Sequence, residues 1–113
     1  MDISDLSSTE QNSLRRALAY WVLHWDWECP TLFGLEKAEF QALLDAWPQC
    51  LALQEKIAAL AIVGALREML HGASAVNRNS VTSLVGLSYT EACALLDRLL
   101  PRIDQCLDNE NAV

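Results

Sequence analysis

The residues best suited to chemistry lie in one short stretch, His24-Trp25-Asp26-Trp27-Glu28-Cys29. It holds an imidazole, two carboxylates, a thiol and two indoles. His24 and Glu28 are spaced i and i+4, which puts both on one face of a helix and can bring two metal ligands together. Cys29 lies close enough in sequence to His24 for a thiol and a general base to meet. Each reading meets an obstacle. Pro30 disfavours a helical conformation at Cys29, so the helix is expected to break inside the set. No second ligand pair of matching type follows, and His71 is too distant in sequence to assign. The chain has no G-x-S-x-G elbow and no Gly-rich phosphate loop. The expectation is a protein that is not an enzyme and needs no metal or cofactor. The six residues 24–29 are its candidate partner- or ligand-binding site.

Three of the four tryptophans, Trp21, Trp25 and Trp27, lie within seven residues. Trp21 and Trp25 share a helical face and are expected to plug the end of a helical core. Trp27 falls off that face. Clustered indoles also make binding hot spots, because each contributes much area at little entropic cost.

The elements that position this stretch are helical. Leu and Ala dominate, and only three prolines and four glycines interrupt 113 residues. A first helix is expected from the Ser7-x-x-Glu10 capping box to about Trp25, with Leu14, Leu18, Trp21, Val22 and Trp25 as its inner face. A second runs from about Glu36 to Trp47, with Phe40, Leu43, Leu44 and Trp47 inward. Pro48 ends it and opens a third helix over 49–71. Ile57 to Leu66 is apolar on nearly all sides, which marks a central helix, and Gly72 follows as its C-terminal cap. Residues 73–83 form the longest loop, with one short turn near 80–84. Ser88 and Glu91 cap a fourth helix that Pro101 kinks or ends. The expected fold is all-α: one compact domain of four helices, or five if a short turn follows Pro101. Residues 1–6 and 108–113 are expected to be flexible.

One phrase occurs twice. Leu32-Phe33-Gly34-Leu35 leads to Glu39, Ala42, Leu43, Leu44 and Asp45. Fifty-two residues later Leu84-Val85-Gly86-Leu87 leads to Glu91, Ala94, Leu95, Leu96 and Asp97. Eight of fourteen positions agree without a gap. Leu14, Arg15 and Leu18 match Leu66, Arg67 and Leu70 at the same offset. An internal repeat of 14–48 and 66–100 follows, as two related helical hairpins. The shared residues are those of capping, chain reversal and packing. Function is therefore expected where the copies differ, at 20–29 and 72–81.

Composition bounds the partner. Net charge is −7 with a pI near 4.6. Such a surface repels phosphate backbones and anionic lipid, and suits a basic protein. The longest apolar run, ten residues, is half of the roughly 20 that a bilayer span needs. Met1 to Asp5 is acidic and polar, so no signal or transit peptide is expected there. Cys29, Cys50, Cys93 and Cys106 form no C-x-x-C pair, so free thiols in the cytoplasm are expected. Cys50, Cys93 and Cys106 read as small buried hydrophobes.

The leading expectation is a small acidic helical protein that binds another protein, or a second copy of itself. Small inhibitors of toxins, immunity-like proteins and accessory regulators share its size and charge. One alternative is a helical protein that binds a small molecule or metal at residues 24–29. Another is a regulator: Ser80 to Leu96 resembles a helix-turn-helix pattern with Gly86 at the turn. Its reading face would carry Ser88, Tyr89, Glu91 and Asp97, with Arg98 the only base in that helix, so nucleic acid is a poor fit.

Overall fold

Two long helices cross at the centre, and each is followed by a short helix, a left-handed glycine and a further helix. A computed structural model describes the backbone of residues 3–49 and 55–111 and the side chains of 3–49 and 56–105. Among the described residues there are six α-helices, one 3-10 turn and no strand. They are α1 (Ser8–Leu23), α2 (Cys29–Phe33), α3 (Lys37–Asp45), α4 (Glu55–His71), α5 (Val81–Val85) and α6 (Tyr89–Asn111), with the 3-10 turn at Arg78–Ser80. The fold is all-α. The four expected helices are present, and two five-residue helices are added.

Helix α1 starts where its capping box places it. The Glu10 amide donates to Ser7 Oγ at 3.1 Å, and the Ser7 amide donates to Glu10 Oε1 at 2.9 Å. The same exchange links Ser88 and Glu91 at 3.1 Å each way ahead of α6. Helix α4 is the core. Ala58, Ala59, Ala61, Ile62, Val63, Ala65, Leu66, Met69 and Leu70 are all buried, as an all-round apolar helix requires. The start of the expected third helix, 50–54, lies outside the described residues.

The two occurrences of the repeated phrase carry the same local structure. Both short helices end at a glycine with positive φ, 68° at Gly34 and 82° at Gly86. Glycine populates that region without the steric penalty of a Cβ. An Asx turn precedes each short helix: the Glu28 amide donates to Asp26 Oδ1 and the Asn79 amide to Asn77 Oδ1, both at 2.9 Å. Within each half the long helix packs on the last one, α1 on α3 and α4 on α6. Each short helix lies instead against the long helix of the other half, α5 on α1 and α2 on α4.

Five expectations are corrected. Helix α1 ends at Leu23, not Trp25, because Trp25 leaves the helical path to pack among Phe33 and Phe40. Cys29 is helical despite the proline after it: it is the first residue of α2, and Pro30 is the second, where its missing N–H costs nothing. Gly72 follows the last residue of α4 as expected, its amide donating to the Glu68 carbonyl at 3.1 Å, without the positive φ of Gly34 and Gly86. Pro101 neither ends nor replaces a helix; α6 runs through it to Asn111. Leu99 on one side is fully buried, and Arg102 on the other is clamped to Asp5 at 2.6 and 2.9 Å. These contacts hold the segment helical against proline's local preference, and Pro101 itself is exposed. Finally, residues 3–6 are not free. Ile3 and Leu6 are buried, and Gln11 Nε2 donates to both their carbonyls at 3.1 Å. Residues 108–111, expected to be flexible, are helical as the end of α6, and 1–2 and 112–113 lie outside the described residues.

Candidate functional site

Residues 24–29 divide into a plug and a projecting corner. The plug is aromatic. Trp21 meets Phe33 edge-on at 5.4 Å between ring centres, and Trp25 meets Phe33 at 5.8 Å and Phe40 at 5.1 Å. Phe33 and Phe40 stand 5.0 Å apart, so the four rings join α1, α2 and α3. Trp21 and Trp25 thus fill the end of the core, though Trp25 does so from beyond the helix.

The polar members of the set serve the chain itself. His24 is the C-cap residue of α1 and stacks on Tyr20 at 4.4 Å. Asp26 Oδ1 accepts the Glu28 amide and, at 3.4 Å, the Cys29 thiol. The Asp26 amide donates to Cys29 Sγ, also at 3.4 Å. The thiol's partner is therefore Asp26, not His24, and the Cys29–His24 pair does not form a site. Cys29 is fully buried. Desolvation first, and then the nearby carboxylates of Asp26 and Glu28, push its thiol up from its ordinary value. A buried, protonated thiol is a packing residue rather than a nucleophile. Among the described residues, no three of His, Cys, Asp and Glu cluster in a way that holds a metal ion.

What remains is surface. Trp27 is 86% exposed and Leu23 is 80% exposed. They flank His24 to Asp26, and the exposed carboxylates of Asp26 and Glu28 adjoin Trp27 in sequence. Leu23 also lines a shallow depression with Arg16, Ala19, Tyr20, His24 and Leu84 between α1 and α5.

A second group of chemically capable side chains assembles elsewhere. His71, the last residue of α4, faces Tyr89 and Cys93 on α6. Tyr89 Oη lies 3.5 Å from His71 Nδ1, and Cys93 Sγ lies 3.8 Å from His71 Nε2. The Arg78 guanidinium covers the Tyr89 ring at 4.4 Å. Cys93 is half-buried, not a wholly buried hydrophobe as expected. The readings of Cys50 and Cys106 as buried lie outside the described side chains. No spacing rule joins residues twenty-two apart; the contact follows from the packing of α4 on α6. The one available signal was the offset between the halves, at which Tyr89, Cys93 and His71 replace Lys37, Gln41 and Ala19.

No protein-family model matches the chain, and no curated protein or solved structure matches it either.

Proposed function

We propose that the chain acts by binding another protein through the corner at Leu23 and Trp27. One observation carries this reading: of the three tryptophans in this stretch, Trp27 projects into solvent while Trp21 and Trp25 are drawn inward. An indole held outside the core contributes nothing to packing. It is suited to a complementary pocket, where it buries much area with few torsions to freeze.

Charge selects the partner. Asp26 and Glu28 flank Trp27 in sequence and are exposed, and the chain carries −7. The fitting surface is an apolar pocket rimmed by Lys or Arg on a basic protein, with charge acting mainly on encounter rate and specificity. The acidic balance argues against nucleic acid. So does the use of Arg98 and Arg102 in ion pairs with Glu10 and Asp5. Among the described residues no helix is long and apolar enough to cross a membrane. The scaffold reads as two copies of one hairpin, and the corner occupies a stretch where the copies differ.

An unbiased pull-down at low and moderate salt tests the proposal. The expected result is a basic protein retained at low salt and released progressively as salt rises. A strict monomer that retains no protein at either salt overturns it. Retention only of further copies of the same chain replaces the basic partner with a homodimer.

A further inference from the structure

The group formed by His71, Arg78, Tyr89 and Cys93 is independent of the Trp27 corner. Its parts come from the end of α4, the 3-10 turn and the first two turns of α6. Cys93 is partly exposed, so a small reagent can reach it. The imidazole stands within hydrogen-bonding reach of the sulfur at 3.8 Å. The other ring nitrogen is engaged by the Tyr89 hydroxyl at 3.5 Å, which fixes the ring's orientation. Tyr89 and Cys93 are one helical turn apart, so α6 presents both to the same histidine. This is a nucleophile, a base and a group that orients the base. Arg78 over the Tyr89 ring adds a fixed positive charge.

The acidic groups nearby are otherwise occupied or lie farther along. The Glu68 carboxylate, one turn before His71, accepts the Ser74 amide at 3.4 Å. Glu91 is held by the amide of Ser88. Asp97 is one turn beyond Cys93 and exposed.

We propose that Cys93, activated by His71, is a site of mixed-disulfide formation with small anionic disulfides, and that Arg78 sets the preference for the anion. With Nδ1 protonated and donating to the Tyr89 oxygen, His71 offers its Nε2 lone pair to the thiol and takes its proton. The resulting thiolate attacks one sulfur of the incoming disulfide. A new S–S bond forms at Cys93 as the old one breaks, and the departing sulfur leaves as a thiolate with the bonding pair. The incoming disulfide is the oxidant: it accepts the two electrons that Cys93 gives up. The proton on His71 passes to water. His71 is here the base, Tyr89 is a positioning residue, and Arg78 acts on the incoming anion through its charge.

Two probes separate reactivity from charge preference: dithiobis(nitrobenzoate), which is dianionic, and dithiodipyridine, which is neutral. The full chain carrying Cys50→Ser and Cys106→Ser retains only Cys93 and the buried Cys29. One fast equivalent is expected, located at Cys93 by mass spectrometry. Its rate at neutral pH should exceed that of cysteine in an unstructured peptide by about tenfold. His71→Gln should return both probes to the peptide rate. Arg78→Gln should slow the anionic probe selectively, and Tyr89→Phe should flatten the pH profile of the rate without blocking access. Reaction of Cys93 at or below the peptide rate overturns the proposal, as does a His71→Gln rate equal to the parent's. Equal slowing of both probes by Arg78→Gln overturns the assigned preference. If the double serine variant loses its cooperative melt, the unsubstituted chain with site-resolved mass spectrometry gives the same comparison.

Discussion

The Trp21 indole donates from Nε1 to the backbone carbonyl of Ala65 at 2.8 Å, tying α1 to the middle of α4. Trp21 is 3% exposed and Ala65 is fully buried. The small side chains of Ala61 and Ala65 leave room for the ring to reach the α4 backbone. Trp21→Phe keeps most of the apolar area but removes this bond and leaves part of the indole volume empty. A loss of about 1–3 kcal/mol in denaturant unfolding is expected. Trp27→Ala should stay within about 0.5 kcal/mol of the parent, because the side chain has little packing to lose. Equal losses in the two variants would show that Trp27 packs as well.

The two left-handed glycines differ in their surroundings. A Cβ on Gly34 would meet nothing within 4 Å, whereas one on Gly86 would come to 2.9 Å from Arg16 Nη1. Gly34→Ala should therefore cost only the backbone strain, about 1–2 kcal/mol. Gly86→Ala should cost somewhat more, because the Arg16 guanidinium must also shift, disturbing its 2.7 Å bond to the Ser83 carbonyl. In an Arg16→Ala background the difference between the two alanine variants should shrink. A double-mutant cycle in denaturant measures this coupling, and independent effects would refute it.

Gly64 faces the short helix of the other half. A Cβ there would lie 3.3 Å from Phe33 Cδ1. Gly64→Leu forces a whole isobutyl group into that contact and should lower stability by about 1–3 kcal/mol or more through overpacking. Thermal unfolding followed by circular dichroism reads the result. An unchanged melt would mean that α2 can move away from α4 without loss.

These glycines show what the sequence made legible. The doubled Gly-Leu phrase announced two chain reversals, and the capping boxes at Ser7 and Ser88 fixed two helix starts to the residue. Burial of Leu14, Leu18, Phe40 and Leu43 followed from spacing alone. Long-range contacts were not legible. Pro101 has the local signature of a helix end, yet the distant Asp5–Arg102 clamp and the burial of Leu99 keep it within α6. Ile3 and Leu6 lack periodic neighbours and still find cover. At the site, the inward course of Trp21 was legible, and Trp27 was left apart. The His71–Cys93 contact was invisible, because only the packing of α4 on α6 creates it.

Acid should loosen the N-terminal segment early. The Arg102 guanidinium holds Asp5 below its ordinary 3.8, and the Ser7 amide, helped by Arg98, holds Glu10 below its ordinary 4.5. The unfolded chain therefore binds these protons more readily than the folded one. Their contribution is complete above the ordinary values and is lost as pH falls through the lower folded values. The melting temperature should decline as pH drops below about 4.5, and Asp5→Asn with Glu10→Gln should flatten that decline while lowering the plateau above it. An identical acid limb in parent and double variant would remove these two groups as its source.

The binding corner predicts a separation between folding and function. Trp27→Ala and Leu23→Ala alter the two most exposed large apolar side chains among the described residues. Each should weaken capture of the basic partner about tenfold or more, the scale of a hot-spot truncation, with the melt unchanged. Trp25→Ala should do the reverse in origin: it removes the ring packed against Phe33 and Phe40, so any loss of binding should track a loss of stability. Charge reversal at Glu28 gives a third signature. Glu28→Lys should slow association and weaken its salt dependence while leaving dissociation nearly constant, because a rim charge acts on encounter. Surface plasmon resonance on the captured partner distinguishes the three patterns. If Trp27→Ala binds as the parent does while Trp25→Ala fails, the contact surface is the aromatic plug's rim and not the projecting indole.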